Sequence, residues 1–139
     1  MNLQPTLYFQ GVCDDAIKFY TEALDAEVLF RLPIGGNVPA QFVTPETADK
    51  VMRAGLRIGR SIVYVSDGHC AGQPAFQGLS MSLAVDTRAD AERYQQALAE
   101  GGRIQIPLQT NGWAETFGTA IDRFGLHWTI EVAAKHGQF

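Results

Sequence analysis

The chain has 139 residues, of which 46% are hydrophobic and 19% are charged, and its net charge is −4. This length suits one compact domain or two small modules with a shared core. An acidic balance without a dense run of Lys or Arg argues against binding to nucleic acid or to an anionic membrane surface. No stretch approaches the roughly 20 apolar residues of a membrane span and the N-terminus lacks a signal peptide pattern, so we expect a cytoplasmic protein.

The first half begins with alternating residues over 3–10, which predict a strand. Apolar residues then recur from Ala16 to Leu24 at helical spacing, and acidic residues precede them, as is typical of an amphipathic helix. Three further strands are predicted over residues 27–32, 51–58 and 61–66. Residues 35–49 contain Gly, Pro and Thr and predict a loop, which is either a functional lid or a plain surface excursion.

The second half follows a Gly- and Pro-containing connector over residues 67–77. A strand is predicted over 79–85 and a helix over 88–100, where Thr87 and Asp90 have the spacing of a capping box. The last three strands are predicted over 104–108, 113–122 and 127–132. Cys13 and Cys70 fit neither a disulfide framework nor a zinc spacing and are predicted to be reduced thiols.

The two halves repeat each other. Arg57-Ile58-Gly59 recurs 66 residues later as Arg123-Phe124-Gly125, and Tyr20 with Ala23-Leu24 recurs 74 residues later as Tyr94 with Ala97-Leu98. The sequence therefore predicts an α+β protein built as a tandem βαβββ repeat. Its modules span residues 1–67 and 78–135 within one domain over 1–139. Each sheet would carry a helix on one face and curl into a cup on the other.

Three stretches carry a family resemblance: TLYFQGVCDDAIKFYTEAL, LRIGRSIVYVSD and PLQTNGWAETFGTAIDRFGLHW. Together they resemble the vicinal oxygen chelate superfamily, which includes glyoxalase I and extradiol dioxygenases, and within it the PhnB-like branch. The resemblance implies a glyoxalase-like fold, a homodimer and a metal centre held by His, Gln or Glu. Members of the branch are often labelled demethylubiquinone methyltransferase-like. The chain lacks the Gly-rich strand-to-helix turn that suits a nucleotide-type cofactor, which argues against methyl transfer.

The resemblance and the repeat offsets together place the superfamily's ligand positions at Thr6, Val63, Ser80 and Thr129. None of these side chains is an imidazole, carboxylate or thiolate, so we predict no metal and no other cofactor. The alternative is a glyoxalase-like lyase, isomerase or dioxygenase that holds one divalent metal at displaced ligands. His127 and Glu131 are the candidates for such a site and for a catalytic base, although a hydrogen-bonded polar histidine and a solvated strand-end carboxylate are the more common roles for such residues.

The leading hypothesis is a small-molecule-binding protein. The polar strand faces predict a cup that takes a small organic molecule and is lined by Thr6, Tyr8, Ser80, Ser82, Thr129 and Glu131. Tyr8 and Trp113 would stack on a planar ligand or fill the core. Arg53 would hold an anionic group or form a surface salt bridge. A scaffold whose cup is filled by its own side chains is a third possibility.

Overall fold

The computed structural model describes residues 1–110, 112 and 114–133 of the chain. The chain divides into two compact units, unit 1 over Met1–Pro74 and unit 2 over Ala75–Phe139. The boundary falls inside the predicted connector over residues 67–77. The joining of the two modules into a single domain over 1–139 stays a prediction.

Unit 1 is a four-stranded sheet with one helix. Its elements are β1 (Thr6–Tyr8), α1 (Cys13–Leu24), β2 (Glu27–Pro33), β3 (Val51–Ile58) and β4 (Ser61–Ser66). The strands lie in the order β1-β4-β3-β2, with β1 parallel to β4 and the other neighbours antiparallel. A single turn of 3₁₀ helix, Ala40–Phe42, interrupts the excursion between β2 and β3.

The core of unit 1 lies between α1 and the sheet. Leu7 and Phe9 alternate with exposed or half-buried neighbours, and both are buried. The ring of Phe9 packs 6.0 Å from that of Tyr20 on α1, centroid to centroid. Burying a side chain of this size contributes about 1.5–3 kcal/mol. This packing fixes which face of β1 points away from the helix, and that opposite face carries Thr6 and Tyr8.

Unit 2 repeats the same order of elements. They are β5 (Met81–Val85), α2 (Arg88–Ala99), β6 (Arg103–Gln109), β7 (Ala114–Ile121) and β8 (His127–Ala133). The strands lie in the order β5-β8-β7-β6, and β5 runs parallel to β8. The predicted helix cap is present, because the Thr87 hydroxyl accepts a hydrogen bond from the Asp90 amide at 3.1 Å. Among the residues described, neither helix has the length and apolarity needed to cross a membrane.

Buried polar side chains of unit 2 have partners. Gln95 on α2 donates from Nε2 to the carbonyl oxygens of Ile106 and Thr119, at 2.9 and 3.2 Å. The Asp122 carboxylate accepts a hydrogen bond from the indole Nε1 of Trp128 at 2.9 Å. These bonds offset the cost of removing an amide and a carboxylate from water.

The α+β fold with two βαβββ modules is confirmed. The first strand is shorter than predicted, Thr6–Tyr8 rather than residues 3–10, and on its C-terminal side Gln10 adopts a left-handed φ of 54° that ends the extended conformation.

The predicted counterpart of Thr129 is wrong. The turn between β3 and β4 has two residues, Gly59 and Arg60, whereas residues 122–126 join β7 to β8. Val63 is paired with the buried Leu56, whereas Thr129 is paired with the half-buried Thr119, so the two residues lie on different faces of their sheets. Val63 is therefore buried, and Tyr64 is the residue of β4 that faces away from the helix.

Candidate functional site

Unit 1 contains a cavity of about 680 Å³. That volume lies in the range of small-molecule sites in proteins. Its apolar wall is formed by Ile34, Val38, Pro39, Phe42 and Met52. Its polar lining comes from Tyr8, Thr47, Ser66, His69 and Cys70. No lining residue is Asp or Glu, so the cavity carries no negative side-chain charge.

The excursion between β2 and β3 forms one wall of this cavity and is pinned at its base. The Ile34 amide donates to the Lys50 carbonyl at 2.8 Å, and the Gly35 amide donates to the Ala48 carbonyl at 2.9 Å. Arg31 pairs with Asp14 at 2.8 Å and also donates to the Asp49 carbonyl at 2.6 Å. Through Arg31, the wall is therefore held to strand β2 and linked to helix α1.

The loop after β4 forms the facing wall. Gln10 accepts two backbone hydrogen bonds from this loop at its side-chain Oε1, from the amides of His69 and Ala71, both at 3.3 Å. Its carbonyl accepts a third from Gly72 at 2.8 Å. Because one residue holds three points of the loop, the positions of His69 and Cys70 are set by the backbone.

Asp67 holds the same region through hydrogen bonds to the backbone. Its fully buried carboxylate accepts hydrogen bonds from the amides of Gly11 and Cys13 through Oδ1, at 2.8 and 2.9 Å. Its Oδ2 accepts another from the Val51 amide at 2.7 Å. Both carboxylate oxygens of Asp67 are thus bonded to backbone amides and do not face His69 and Cys70 as part of a ligand cluster.

Tyr8 lies at the rim of the cavity. It is half exposed and its ring lies against the backbone of Gly68. A Cβ atom at Gly68 would come within 3.0 Å of Tyr8 Cδ1, and Gly68 has a φ of +56°. Both the space and the backbone conformation thus favour glycine there. The tyrosine hydroxyl and ring face are available to a ligand.

Arg53 lies on β3, on the face of the sheet that carries Tyr64. Its Cζ is 3.7 Å from the centroid of the Tyr64 ring, which is a cation–π contact. Phe30 of β2 lies 6.2 Å from the same ring, centroid to centroid, and covers Gly55, where a Cβ atom would come within 2.6 Å of the Phe30 ring. We call Phe30, Arg53 and Tyr64 the aromatic platform. Among the residues described, Arg53 forms this stacking contact and no salt bridge. A surface salt bridge was one of the two roles that the sequence suggested for it.

The remaining predicted site residues lie in unit 2. Ser80 and Thr129 share a hydrogen bond between their hydroxyl oxygens at 3.1 Å, and Ser82 is the strand partner of Thr129. On β8 the half-buried His127, Thr129 and Glu131 alternate with buried apolar residues, as predicted. Thr6 shares its strand face with Tyr8 in unit 1. Trp113 lies outside the described residues.

A divalent metal does not fit the side chains present. Among residues 1–110, 112 and 114–133, no three His, Cys, Asp or Glu side chains come together as a metal-binding group. His127 and Glu131 are four residues apart on one strand, about 13 Å along an extended backbone. Both side chains would have to lie along the strand to reach one ion, and a protein metal site needs about three or more such ligands.

Both cysteines are free, as predicted. Burial raises the pKa of the Cys13 thiol, and the negative charges of Asp67 and Asp14 raise it further. Burial and then Asp67 also raise the pKa of Cys70. Cys70 consequently presents a neutral thiol to the cavity at pH 7 and is a weak nucleophile.

The sequence did not identify the excursion as a wall of the site. The relevant signal was the presence of three apolar residues, Ile34, Val38 and Phe42, in a segment otherwise typical of a surface loop. Phe42 remains 68% exposed, so its ring is accessible at the cavity.

Comparisons with known proteins agree with this architecture. The model of the family described as 3-demethylubiquinone-9 3-methyltransferase matches residues 1–131. Protein YjdN of Escherichia coli is 32% identical over 97% of this chain and 97% of its own length.

Two solved structures are also similar. Protein PA1353 of Pseudomonas aeruginosa is 37% identical, with a TM-score of 0.81 over 96% of this chain and 98% of its own. A PhnB protein of Bacillus cereus, titled a putative 3-demethylubiquinone-9 3-methyltransferase, is 21% identical and shows the fold, with a TM-score of 0.77 over 96% of this chain and 100% of its own. The motifs, the two βαβββ modules and these matches show that the chain has a glyoxalase-like fold and belongs to the family described as 3-demethylubiquinone-9 3-methyltransferase.

Proposed function

We propose that the chain binds a small organic molecule in the cavity of unit 1 and that binding requires no metal or other cofactor. The cavity itself carries this proposal. It has the volume of a small-molecule site, one apolar wall and a few polar groups at its rim. Both of its walls are held by backbone hydrogen bonds, so little ordering is needed when a ligand enters.

The polar groups suggest how a ligand would be oriented. Tyr8 offers a ring face and a hydroxyl at the rim, and the loop after β4 adds His69 and the neutral Cys70 thiol to the lining. An apolar body would pack against the excursion, where Phe42 is the largest exposed apolar side chain. This arrangement supports recognition of a molecule that is mainly apolar with one polar end.

Binding without a metal is supported by the chemistry of the side chains. The outward positions of β1 and β4 in unit 1 are Thr6, Tyr8, Tyr64 and Ser66, which are poor ligands for zinc or iron. The polar face of unit 2, formed by Ser80, Ser82, Thr129 and Glu131, is proposed as a second ligand-contacting surface. Methyl transfer, which the family's description names, is not proposed because the β1-to-α1 turn, Gln10-Gly11-Val12, contains a single glycine.

We further propose that the protein is a cytoplasmic homodimer. A reducing compartment would maintain Cys13 and Cys70 as thiols. The edge strand β2 exposes Val28, Phe30 and Leu32 at 44%, 37% and 38%, and pairing of two copies is a common way to cover such an edge. Light scattering after gel filtration should give about 30 kDa, twice the chain mass of 15.2 kDa. A mass of one chain would reject the dimer.

The binding proposal is tested with N-phenyl-1-naphthylamine, an uncharged dye that fluoresces in apolar sites. The wild-type protein should bind about one dye per chain, and addition of EDTA should leave the affinity unchanged. Phe42→Ala should weaken binding about tenfold, because a large apolar contact is lost. Leu3→Ala removes an even more exposed apolar side chain outside the cavity lining and should have no effect.

A second pair of variants tests the contributions of the Tyr8 ring and the Tyr8 hydroxyl group separately. Tyr8→Phe keeps the ring and should retain dye binding, whereas Tyr8→Ala should weaken it. Equal binding by wild type, Phe42→Ala and Tyr8→Ala would show that the dye, if it binds, lies elsewhere. Such a result would overturn the proposed site.

A further inference from the structure

The aromatic platform adjoins the cavity through the strand register. Ala54 of β3 is paired with Val65 of β4, so Arg53 lies one residue beyond that pair, next to Ser66. Ser66 lines the cavity, and Arg53 lies on the sheet face that carries Tyr64. The backbone of Arg53 therefore lies beside Ser66 at the border of the cavity, and its guanidinium group lies over the neighbouring Tyr64 ring.

Arg53 differs from the other arginines that project from this sheet. Arg31 is paired with Asp14 and Arg57 with Glu27, each at 2.8 Å. The Arg53 guanidinium group forms neither an ion pair nor a hydrogen bond with any other residue of the described part of the chain. Among the residues described, the positive charge of Arg53 therefore has no carboxylate partner on this face. No carboxylate lines the cavity either.

The stacking contact leaves the hydrogen-bonding edge of Arg53 available. A guanidinium group carries its five N–H donors in the plane of the group, and contact with the Tyr64 ring occupies a face rather than that edge. Phe30 packs beside Tyr64 and limits the movement of its ring. The arginine is consequently held in an orientation suited to two parallel hydrogen bonds with a planar oxyanion.

We propose that Arg53 anchors the anionic end of the cavity's ligand, which is therefore an organic carboxylate with an apolar body. This inference rests on the proposed binding function and specifies the class of ligand. The apolar body lies against the excursion, and the carboxylate lies over the β3–β4 floor within reach of the guanidinium edge.

The test compares 1-naphthoate with 1-naphthamide, which have nearly the same shape and differ in charge. Their affinities are measured by calorimetry, independently of dye binding. The wild-type protein should bind 1-naphthoate about tenfold more tightly than 1-naphthamide, the lower range for a charge-assisted hydrogen bond at a partly exposed site. Arg53→Gln should abolish this preference, so that 1-naphthoate and 1-naphthamide bind with about equal affinity.

Two further variants serve as controls. Arg60→Gln removes the same charge at the exposed β3–β4 turn and should preserve the preference. Arg53→Lys keeps the charge but loses the planar donors and should give an intermediate preference. Melting curves verify that each variant is folded.

The outcomes separate this inference from the binding function. If the dye binds but 1-naphthoate has no advantage over 1-naphthamide, the carboxylate proposal is overturned and the cavity proposal stands. The same conclusion follows if Arg60→Gln reduces the preference as much as Arg53→Gln. If neither the dye nor either naphthalene compound binds, both proposals fail.

Discussion

At the scale of single residues, Asp67 connects three segments of unit 1. Its two oxygens accept hydrogen bonds from the amides of Gly11, Cys13 and Val51, which lie 56, 54 and 16 residues away in the sequence. Each of these donors would otherwise be deprived of water and without a partner. One side chain thus fixes the start of α1 and the start of β3 together.

Replacing Asp67 with asparagine should destabilise the protein by about 2–4 kcal/mol. The amide group retains one oxygen, but it presents N–H donors to a backbone N–H and loses the charge that strengthens the bonds. Urea denaturation measures the loss. Asp86→Asn makes the same change at an exposed position and should alter the free energy of unfolding by less than about 0.5 kcal/mol. Equal stabilities of the two variants would refute the anchoring role of Asp67.

The buried thiol of Cys13 predicts a loss of stability in alkali. Its pKa in the folded protein is raised, chiefly by burial, above the ordinary value of 9.0. Below pH 9 both folded and unfolded chains hold a neutral thiol, and the stabilising contribution is complete. Above pH 9 only the unfolded chain ionises there, so the free energy of unfolding falls by about 1.4 kcal/mol per pH unit.

Denaturation between pH 8 and pH 10.5 tests this dependence against variants. Cys13→Ala should show a shallower decline than wild type, because the titrating group is absent. Cys70→Ala, which leaves Cys13 in place, should decline nearly as steeply as wild type. Parallel curves for wild type and Cys13→Ala would show that the Cys13 thiol is not responsible.

At the scale of elements, the excursion between β2 and β3 can be separated from the sheet. The Gly35 amide donates to the Ala48 carbonyl, so the two strands already approach each other at its base. Replacing residues 36–47 with Asn-Gly should close a two-residue hairpin turn. Shortening a loop changes its closure entropy by only about 1–2 kcal/mol, so the sheet should remain folded.

The shortened chain should nevertheless lose the cavity. The apolar wall formed by Val38, Pro39 and Phe42 would be absent, and the affinity for N-phenyl-1-naphthylamine should fall at least about tenfold. Circular dichroism and melting confirm folding. Unchanged dye affinity in a folded, shortened chain would show that the excursion does not form the site.

Elements were more predictable from sequence than the site was. The alternation of β8 and the spacing of α1 each specify one buried face, so strand and helix identities follow from the sequence. The cavity depends on the packing of the 34–50 segment and the loop after β4, which follow no period. Tyr8 was predicted from its strand face, whereas Phe42 was not, because a loop position does not determine where a side chain lies.

At the scale of the whole molecule, the chain is expected to hold no tightly bound metal. After incubation with zinc, nickel, manganese and ferrous ions and then desalting, elemental analysis should give less than about a tenth of an equivalent per chain. The reason is the ligand set, since His127 and Glu131 lack a third partner among the residues described.

The variants Glu131→Gln and Glu115→Gln complete this measurement. Glu115 is an exposed carboxylate on β7 and serves as the matched control. About one equivalent of metal in wild type and Glu115→Gln, lost in Glu131→Gln, would establish a displaced site. That result would favour the metal-dependent lyase, isomerase or dioxygenase over metal-free binding.

The pairing within the two β-hairpins has a consequence for comparing the halves. Val63 and Thr129 each lie three residues into the strand that follows the turn, but Val63 is paired with the buried Leu56 and Thr129 with the half-buried Thr119. Residues at the same distance from the two turns therefore face opposite sides of their sheets. A polar group introduced at one such position would be exposed in one half and buried in the other, so a binding residue of one half has no counterpart at the matching position of its twin.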